Sequence, residues 1–423
     1  MSHFSYLEKL LDGEIVEWKA LWEVTVWDKK FNAVERHKQK NINKHHYFLA
    51  KEINELVVPN GTVKLLTTNT SNKYTSEELA GDKIKSGEII AIPWGGDAIV
   101  QYYKGKYLTS DNRIATSSDP ELLSNKYLYY FLLNNLNELS SYYRGSGIKH
   151  PSMYDVLEMK IPIPCPNNPE KSLAIQAEIV RILDAFTAMT AELTAELNMR
   201  KKQYNYYRDQ LLSFEDGEVE WKALGTIATF SQGIQVDVQN QFPEKLEDFV
   251  RFLRIVDFVK NDEIPRYVKN PGQRYLKEFG ELVMIRYGAS AAGKVFLNHS
   301  GAIANNMFKI NLTTDLITTK FLHAYLSLPS IYSNLNSNGG ASTMPAITFG
   351  QIGALNIPIP PLEEQSRILA ILDKFDALTN SITEGLPREI ELRQKQYEYY
   401  RDLLLSFPAS PAGGPKSHSD EAA

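Results

Sequence analysis

The sequence predicts an α/β (α+β) chain assembled twice over. Two similar domains of mixed sheet and short helices are each followed by a long helix, and the two long helices pack on one another. Three observations predict this. RKKQYNYYRDQLLSF, ending at Phe214, returns as RQKQYEYYRDLLLSF, ending at Phe407, with 12 of 15 positions identical at a separation of 193 residues. Smaller pieces return with it: DGEIVEWKAL at 12–21 as DGEVEWKAL at 216–224, IPIP at 161–164 as IPIP at 357–360, and QAEIVRILDAF at 176–186 as EQSRILAILDKF at 364–375. Each QAEIVRILDAF-like start opens a sustained apolar seam in steps of three and four, which marks a long helix with a stripe to bury.

The chain divides accordingly into an N-terminal segment (1–21), a first variable block (22–160), a first helical block (161–214), a linker repeat (215–224), a second variable block (225–356), a second helical block (357–407) and a tail (408–423). At 423 residues it is too long for one ordinary core, so two or more domains are expected. A hydrophobic content of 43% against 23% charge describes a soluble globular protein. No apolar run approaches the roughly 18 residues that span a bilayer. The start, MSHFSYLEKLLDGE, places charges where a signal peptide needs an apolar stretch. The single cysteine, Cys165, excludes a disulfide framework and a cysteine-built metal site. Cytoplasm is the expected compartment and no membrane is expected as a partner. The tail PASPAGGPKSHSDEAA has the composition of a disordered segment.

The variable blocks share a skeleton. GEIIAI at 87–92 stands where GELVMI stands at 280–285, and KYLYYFL at 126–132 corresponds to KFLHAYL at 320–326. We read an apolar strand in each first segment and an amphipathic helix in each second. Almost nothing matches between these anchors. One fold has kept its packing residues and changed its loops, as two domains that read different things would.

The helical blocks carry the longest pattern. Ile175, Ile179, Ile182, Phe186, Met189, Leu193, Leu197, Arg200, Tyr204, Tyr207 and Leu211 form a heptad seam with one extra four-residue step, a stutter, which lies in TAELTAEL at 190–197. The second seam runs from Ile368 through Phe375, Leu378 and Ile390 to Tyr400 and Leu404, and Gly385-Leu386-Pro387 is expected to break it. A helix of about 40 residues would be roughly 60 Å long and cannot bury its seam alone. The obvious partner is the other copy. The competing reading is a pair of ordinary core helices.

Net charge is −5, yet the acidity lies in scaffold and linker: the variable blocks hold 18 basic against 16 acidic and 12 against 10 residues. A slight positive balance permits nucleic-acid binding, but two such domains alone would supply little phosphate affinity. Catalytic chemistry is hard to find. GASAAGKV at 288–295 has phosphate-loop spacing, but Val295 stands where magnesium needs Ser or Thr, and VFLNHSGAI reads as strand, not as the helix that would hold a phosphate. A glycine-rich turn between strands is the better reading. No methyl-donor pocket motif or Asn/Asp-Pro-Pro-aromatic loop is present, and His45-His46 has no third ligand at sensible spacing.

Taken together, these features resemble one family, the specificity subunits of type I restriction-modification enzymes. The resemblance covers essentially all of 1–407. Its carriers are IPIP…QAEIVRILDAF and IPIPPLEEQSRILAILDKF at the helix starts and QYNYYRDQLLSF and QYEYYRDLLLSF at the ends. TAELTAEL and GLPREIELRQKQYEYY look like the C group of that family, in which the count of the TAEL unit is associated with spacer length. The resemblance implies that each variable block is a target-recognition domain reading one half of a bipartite double-stranded DNA site. It implies that the long helices pair as an antiparallel coiled coil, holding the domains apart and docking the partners. Those are two methyltransferase subunits, which use S-adenosylmethionine, and two motor-nuclease subunits, which use ATP and magnesium. This chain itself would then be non-catalytic, with no cofactor or metal of its own. The repeat would give it a pseudo-two-fold axis, so that identical partners find the same surface twice.

Reading residues cannot be transferred by motif, because loops are where members differ. By chemistry, direct readout uses Arg, Lys, Asn, Gln, Ser and Thr on loops. The first block offers Lys44, His45, Asn69, Asn72, Lys73, Asn112, Arg113, Arg144 and Lys149; the second offers Gln232, Gln235, Arg251, Arg274, Arg286, Ser290, Lys294, Asn305 and Asn306. For each, an ordinary solvated loop residue is the competing reading. Arg144 and Lys149, in YYRGSGIKHP, gain from glycines that let backbone approach DNA closely, and the glycines of SNGGAST, 337–343, stand at the same place before the second IPIP. The main rival function is a duplicated coiled-coil adaptor that touches no DNA. It rests on the net acidity and the rods, and it leaves the unmatched loops unexplained.

Overall fold

The repeated sequence segments pair with each other. Val16–Ala20 lies antiparallel to Lys160–Pro164, with Trp18 opposite Pro162. Glu220–Ala223 lies antiparallel to Asn356–Ile359, with Trp221 opposite Pro358. Each EWKA copy therefore closes its domain on the IPIP that ends it. Both sheets have only two strands, which is where proline belongs, since it has no N–H to offer a further neighbour. The computed structural model describes residues 6–215, 217–260, 262–288, 292–337, 346–381 and 383–408. It divides into two units: one holds the chain through Glu192 together with the chain from Ile390 onward, the other holds Leu193–Glu389.

In the first unit a six-stranded sheet runs in the order Thr25–Trp27, Asn112–Ser117, Lys85–Pro93, Gln101–Thr109, Val63–Leu66, Tyr74–Thr75. The GEIIAI segment lies in the Lys85–Pro93 strand and is antiparallel to both neighbours. Ile90 and Ile92 enter the main core, while Ile89 and Ala91 enter a separate cluster with Leu66, Tyr107 and Ile114. Both faces are buried, which explains why the segment is apolar throughout and does not alternate. The second unit repeats the device. Leu282 and Met284 of the Leu282–Ile285 strand enter one core, Val283 and Ile285 another. Here, however, the strands form two four-stranded sheets, one of them containing Ala228–Gln232, Met307–Leu312, Leu282–Ile285 and Val295–Phe296.

The KYLYYFL and KFLHAYL segments form Asn125–Asn134 and Thr319–Leu326 as helices. Ser124 and Thr318 cap them, accepting from the Tyr127 and Phe321 amides. A buried glutamine of the following long helix fixes each start. Gln176 Oε1 accepts from Ser124 N at 2.9 Å while its Nε2 donates to Leu122 O; Gln365 Oε1 accepts from Thr318 N at 2.9 Å while its Nε2 donates to Leu316 O. Both side chains are fully buried, so each amide has found partners for the groups that burial takes from water.

The first long helix, Pro169–Leu211, is 43 residues without interruption, or about 65 Å of rise. The second block is broken as expected, into Leu362–Asn380 and Gly385–Leu405. Gly385 has φ 74°, and a Cβ there would collide with the Ala377 carbonyl, so only glycine fits the corner. Within the first unit Phe186 stacks on Tyr400, with centroids 5.2 Å apart; within the second Phe375 stacks on Tyr207 at 5.8 Å. The early part of the first helix thus meets the late part of the second block, and the late part of the first meets the early part of the second. Antiparallel pairing requires this crossing. The seam needs one correction. Leu183, not Ile182, is buried with Ile175 and Ile179, and Met189 is 40% exposed. The start of the helix follows the domain core in four-residue steps, so the 3/4 seam does not govern burial there.

Candidate nucleic-acid interface

In each unit the doubly buried central strand leads into a corner of similar chemistry. The first corner reads Pro93-Trp94-Gly95, the second Arg286-Tyr287-Gly288, again 193 residues apart. Trp94 is held by its backbone: its N–H donates to Asp111 O at 2.9 Å and its carbonyl faces His150 Nδ1 at 2.6 Å. Gly96 N donates to Lys149 O at 3.0 Å, and a Cβ on Gly95 would press on Ile148 at 3.0 Å. The close approach of the 143–151 ribbon therefore depends on glycine. At the second corner Arg286 N donates to Asn306 O at 2.8 Å and Arg286 O accepts from Ile347 N at 3.0 Å. Each corner carries a guanidinium 4.9 Å from its aromatic ring: Arg113 over Trp94, and Arg286 over Tyr287.

The structure separates the proposed reading residues into classes. Arg144, Lys149, Lys44, Asn69, Asn72 and Lys73 are exposed in the first unit, with Arg144 bonded to Asp155 at 3.0 Å and Lys73 to Asn54 at 2.7 Å. Arg144 and Lys149 flank the Trp94 corner; Lys44 and the 69–73 group belong to other loops. In the second unit, Gln232, Gln235, Asn305 and Asn306 gather beside Arg286. Asn305 Nδ2 donates to Gln235 Oε1 at 2.9 Å and Gln232 Nε2 to Asn305 O at 3.4 Å. Arg274 and Lys294 are exposed. Arg251 is half-buried and tied to the buried Asp257 at 3.3 Å, which also holds Arg254. Ser290 and the SNGGAST glycines Gly339 and Gly340 lie outside the described residues.

Three expectations are corrected. Asn112 and Arg113 were expected on a reading loop, but they begin the buried Asn112–Ser117 strand, with 0% and 2% exposure. Asn112 Nδ2 donates to Leu66 O and Thr109 Oγ1, and Arg113 pairs with Asp28 at 3.0 Å and Asp111 at 2.7 Å. His45 is a packed histidine. Its Nδ1 donates to Asn43 O at 2.6 Å and its Nε2 accepts from Tyr107 O–H at 2.8 Å, while the ring stacks on Tyr107. Burial lowers its pKa, so the neutral ring has both nitrogens occupied and none for a base. Val295–Phe296, at the end of GASAAGKV, is a strand antiparallel to Leu282–Ile285 and not the helix a phosphate loop would need.

A sequence model described as the type I restriction modification DNA specificity domain matches residues 36–200 and again 219–392. The chain belongs to that family. It is a type I specificity subunit with two copies of the specificity domain. Over 96% of its length it is 40% identical to the EcoR124I/EcoR124II specificity subunit of Escherichia coli, covering 98% of that protein. It is 34% identical to the EcoprrI specificity subunit of Escherichia coli over 91% of this chain and 93% of that one. Among solved structures, the S subunit of the type I system of M. genitalium superposes with TM-score 0.55 at 16% identity, covering 94% of this chain and 98% of the other. A chain from a study of complex assembly and conformational transition in the type I system superposes with TM-score 0.58 at 15% identity, covering 92% and 97%. These two show the fold. The adaptor reading is left without support.

In this specificity subunit, sequence reasoning overlooked Trp94 and Tyr287. The signal was available: an aromatic residue followed by glycine at the same offset from each apolar strand.

Proposed function

We propose that this specificity subunit reads a bipartite double-stranded DNA target, one half with each domain, and performs no chemistry alone. The two domain matches on frames with unlike loops carry this reading. Methyl transfer with S-adenosylmethionine belongs to two docked methyltransferase subunits, and ATP- and magnesium-dependent translocation and cleavage to two motor-nuclease subunits, in the cytoplasm. Among the described residues no helix is long and apolar enough to cross a membrane. The exposed groups flanking the Trp94 corner and the amide cluster beside Arg286 are the reading surfaces; Lys44, Asn69, Asn72, Lys73, Arg274 and Lys294 remain as contacts from other loops. A mobility shift with random duplex pools tests the reading. A split sequence should be selected when the methyltransferase is added. No selection with partner present would refute it.

Exchanging 22–160 for the block of another specificity subunit should change one half of the methylated target and leave the other alone. Sequencing of methylated sites decides this, and joint change of both halves would exclude independent reading. TAELTAEL lies inside the uninterrupted first helix. One more TAEL adds about 6 Å, close to one turn, so pairing stays nearly in phase. At about 3.4 Å per base step, the gap between half-sites should lengthen by one or two base pairs with the half-sites unchanged. Variants with one, two and three units, mapped by methylation sequencing, provide the measurement. A constant gap would show that this helix is not the ruler.

A further inference from the structure

We infer that Arg286 reads a guanine base edge in the half-site of the second domain. The inference rests on the proposed reading of DNA and names one of its specificity determinants. The guanidinium lies 4.9 Å from the Tyr287 ring and 5.4 Å from the Phe349 ring. Phe349 is itself fixed, stacked on Phe230 at 5.6 Å with its plane within 11° and edge-on to Phe308 at 5.2 Å. The Arg286 backbone is pinned on both sides, by Asn306 O and Ile347 N. A long side chain ordinarily loses rotamer freedom on binding; here ring and backbone contacts have already restricted it.

Among the described residues Arg286 has no carboxylate partner, and its Nε is buried without a hydrogen-bond acceptor. The missing carboxylate distinguishes it from its neighbours, whereas the Nε atoms of Arg251 and Arg113 are likewise buried without a partner. Arg254 is held by Asp257 at 3.0 Å and Glu263 at 3.2 Å, and Arg251 by Asp257 at 3.3 Å. In the first domain the guanidinium beside the corner aromatic is that of Arg113, which comes from a different strand; it is 4.9 Å from Trp94 but is neutralised by two aspartates. A guanidinium beside the corner aromatic thus has carboxylate partners in the first domain and, among the described residues, none in the second. A half-buried cation without a partner is unfavourable on its own, and a ligand with acceptors would relieve it.

The ligand chemistry follows from what surrounds the arginine. Phosphate accepts from Arg, Lys, amide side chains and backbone N–H groups alike, so the salt dependence in the test below separates it from a base edge. Here the neighbours are the amides Gln232, Gln235, Asn305 and Asn306, and the Asn306 Oδ1 is likewise buried and unpartnered. Amides with one oriented arginine suit base edges. The rigid guanidinium fork matches the O6 and N7 acceptors of guanine in the major groove.

The test uses the full chain assembled with its methyltransferase partner, wild type against Arg286→Gln and Arg286→Lys, on a randomised duplex library read by methylation sequencing. Both variants should relax one guanine position of the second half-site by about 10- to 100-fold, with the first half-site intact as an internal check on folding. Uniform weakening across sequences with a shallower salt dependence would mark a phosphate contact and overturn the inference. So would unchanged specificity in both variants. If Arg286→Gln yields no assembled complex, the lysine variant decides, since it keeps the charge but lacks the fork. If the wild-type complex selects no split site at all, the function proposed above fails, and not this assignment within it.

Discussion

Lys277→Met is expected to destabilise the second domain by about 2–4 kcal/mol and to lower its melting temperature by several degrees. Lys277 is fully buried, and its ammonium lies 2.9–3.0 Å from four backbone carbonyls, those of Glu278, Leu297, Asn298 and His299, which share its three protons. It therefore fixes the 297–299 turn to the Leu276–Lys277 strand. Methionine has similar volume and packs comparably, so the loss isolates the donors: each orphaned carbonyl forfeits its bond while remaining shielded from water. The effect should depend on pH. Burial lowers the pKa to about 8 from 10.5, so the unfolded chain holds this proton more tightly than the folded one does. Folding stability from this group then rises as pH climbs from about 8 towards 10, and the methionine variant lacks that rise. The gap between the two proteins should widen over that range in chemical-denaturation measurements. A gap that stays constant or narrows would show that the four carbonyls, not burial, control the proton.

The scaffold was legible in the sequence because its signals are local or repeated. GEIIAI and GELVMI are short apolar runs, and the duplicate confirms the reading of each. The break at Gly385 announces itself through glycine and proline together. What was not legible depends on partners distant in the chain. Arg113 and Asn112 look like loop residues because polarity suggests exposure; their burial depends on Asp28, 85 positions earlier, and on the Leu66 carbonyl. His45 likewise is explained only by Tyr107, 62 positions on. The seam is ambiguous at Ile182-Leu183, where adjacent apolar residues offer two faces and only the domain packed against the helix selects Leu183. The Arg286 cluster was visible as residue types, but its ring partner Phe349 lies 63 positions on.

Asp28→Asn is expected to cost about 3–5 kcal/mol, because it leaves the Arg113 guanidinium buried with much of its charge uncompensated. The carboxylate is fully buried and serves three donors: Arg113 at 3.0 Å, the Ile114 amide at 2.9 Å and the Tyr47 hydroxyl at 2.5 Å. Arg113 lies 4.9 Å from both the Tyr47 and Trp94 rings and reaches outward to Asp111 at 2.7 Å. Asparagine keeps the shape and one acceptor but removes the charge. Arg113→Met errs in the opposite way, leaving Asp28 as a buried anion with two remaining donors. If the pair behaves as a unit, the double variant will lose less than the sum of the single losses, with a coupling of about 2–3 kcal/mol. Urea denaturation of the four proteins completes the cycle, and additive losses would mean the ion pair contributes little beyond packing. Function should follow asymmetrically. Trp94 stands on this cluster at the corner beside Arg144 and Lys149, so in complexes that still assemble, Arg113→Met should blur the first half-site. The second half-site, which the proposed reading gives to the other domain, should stay sharp.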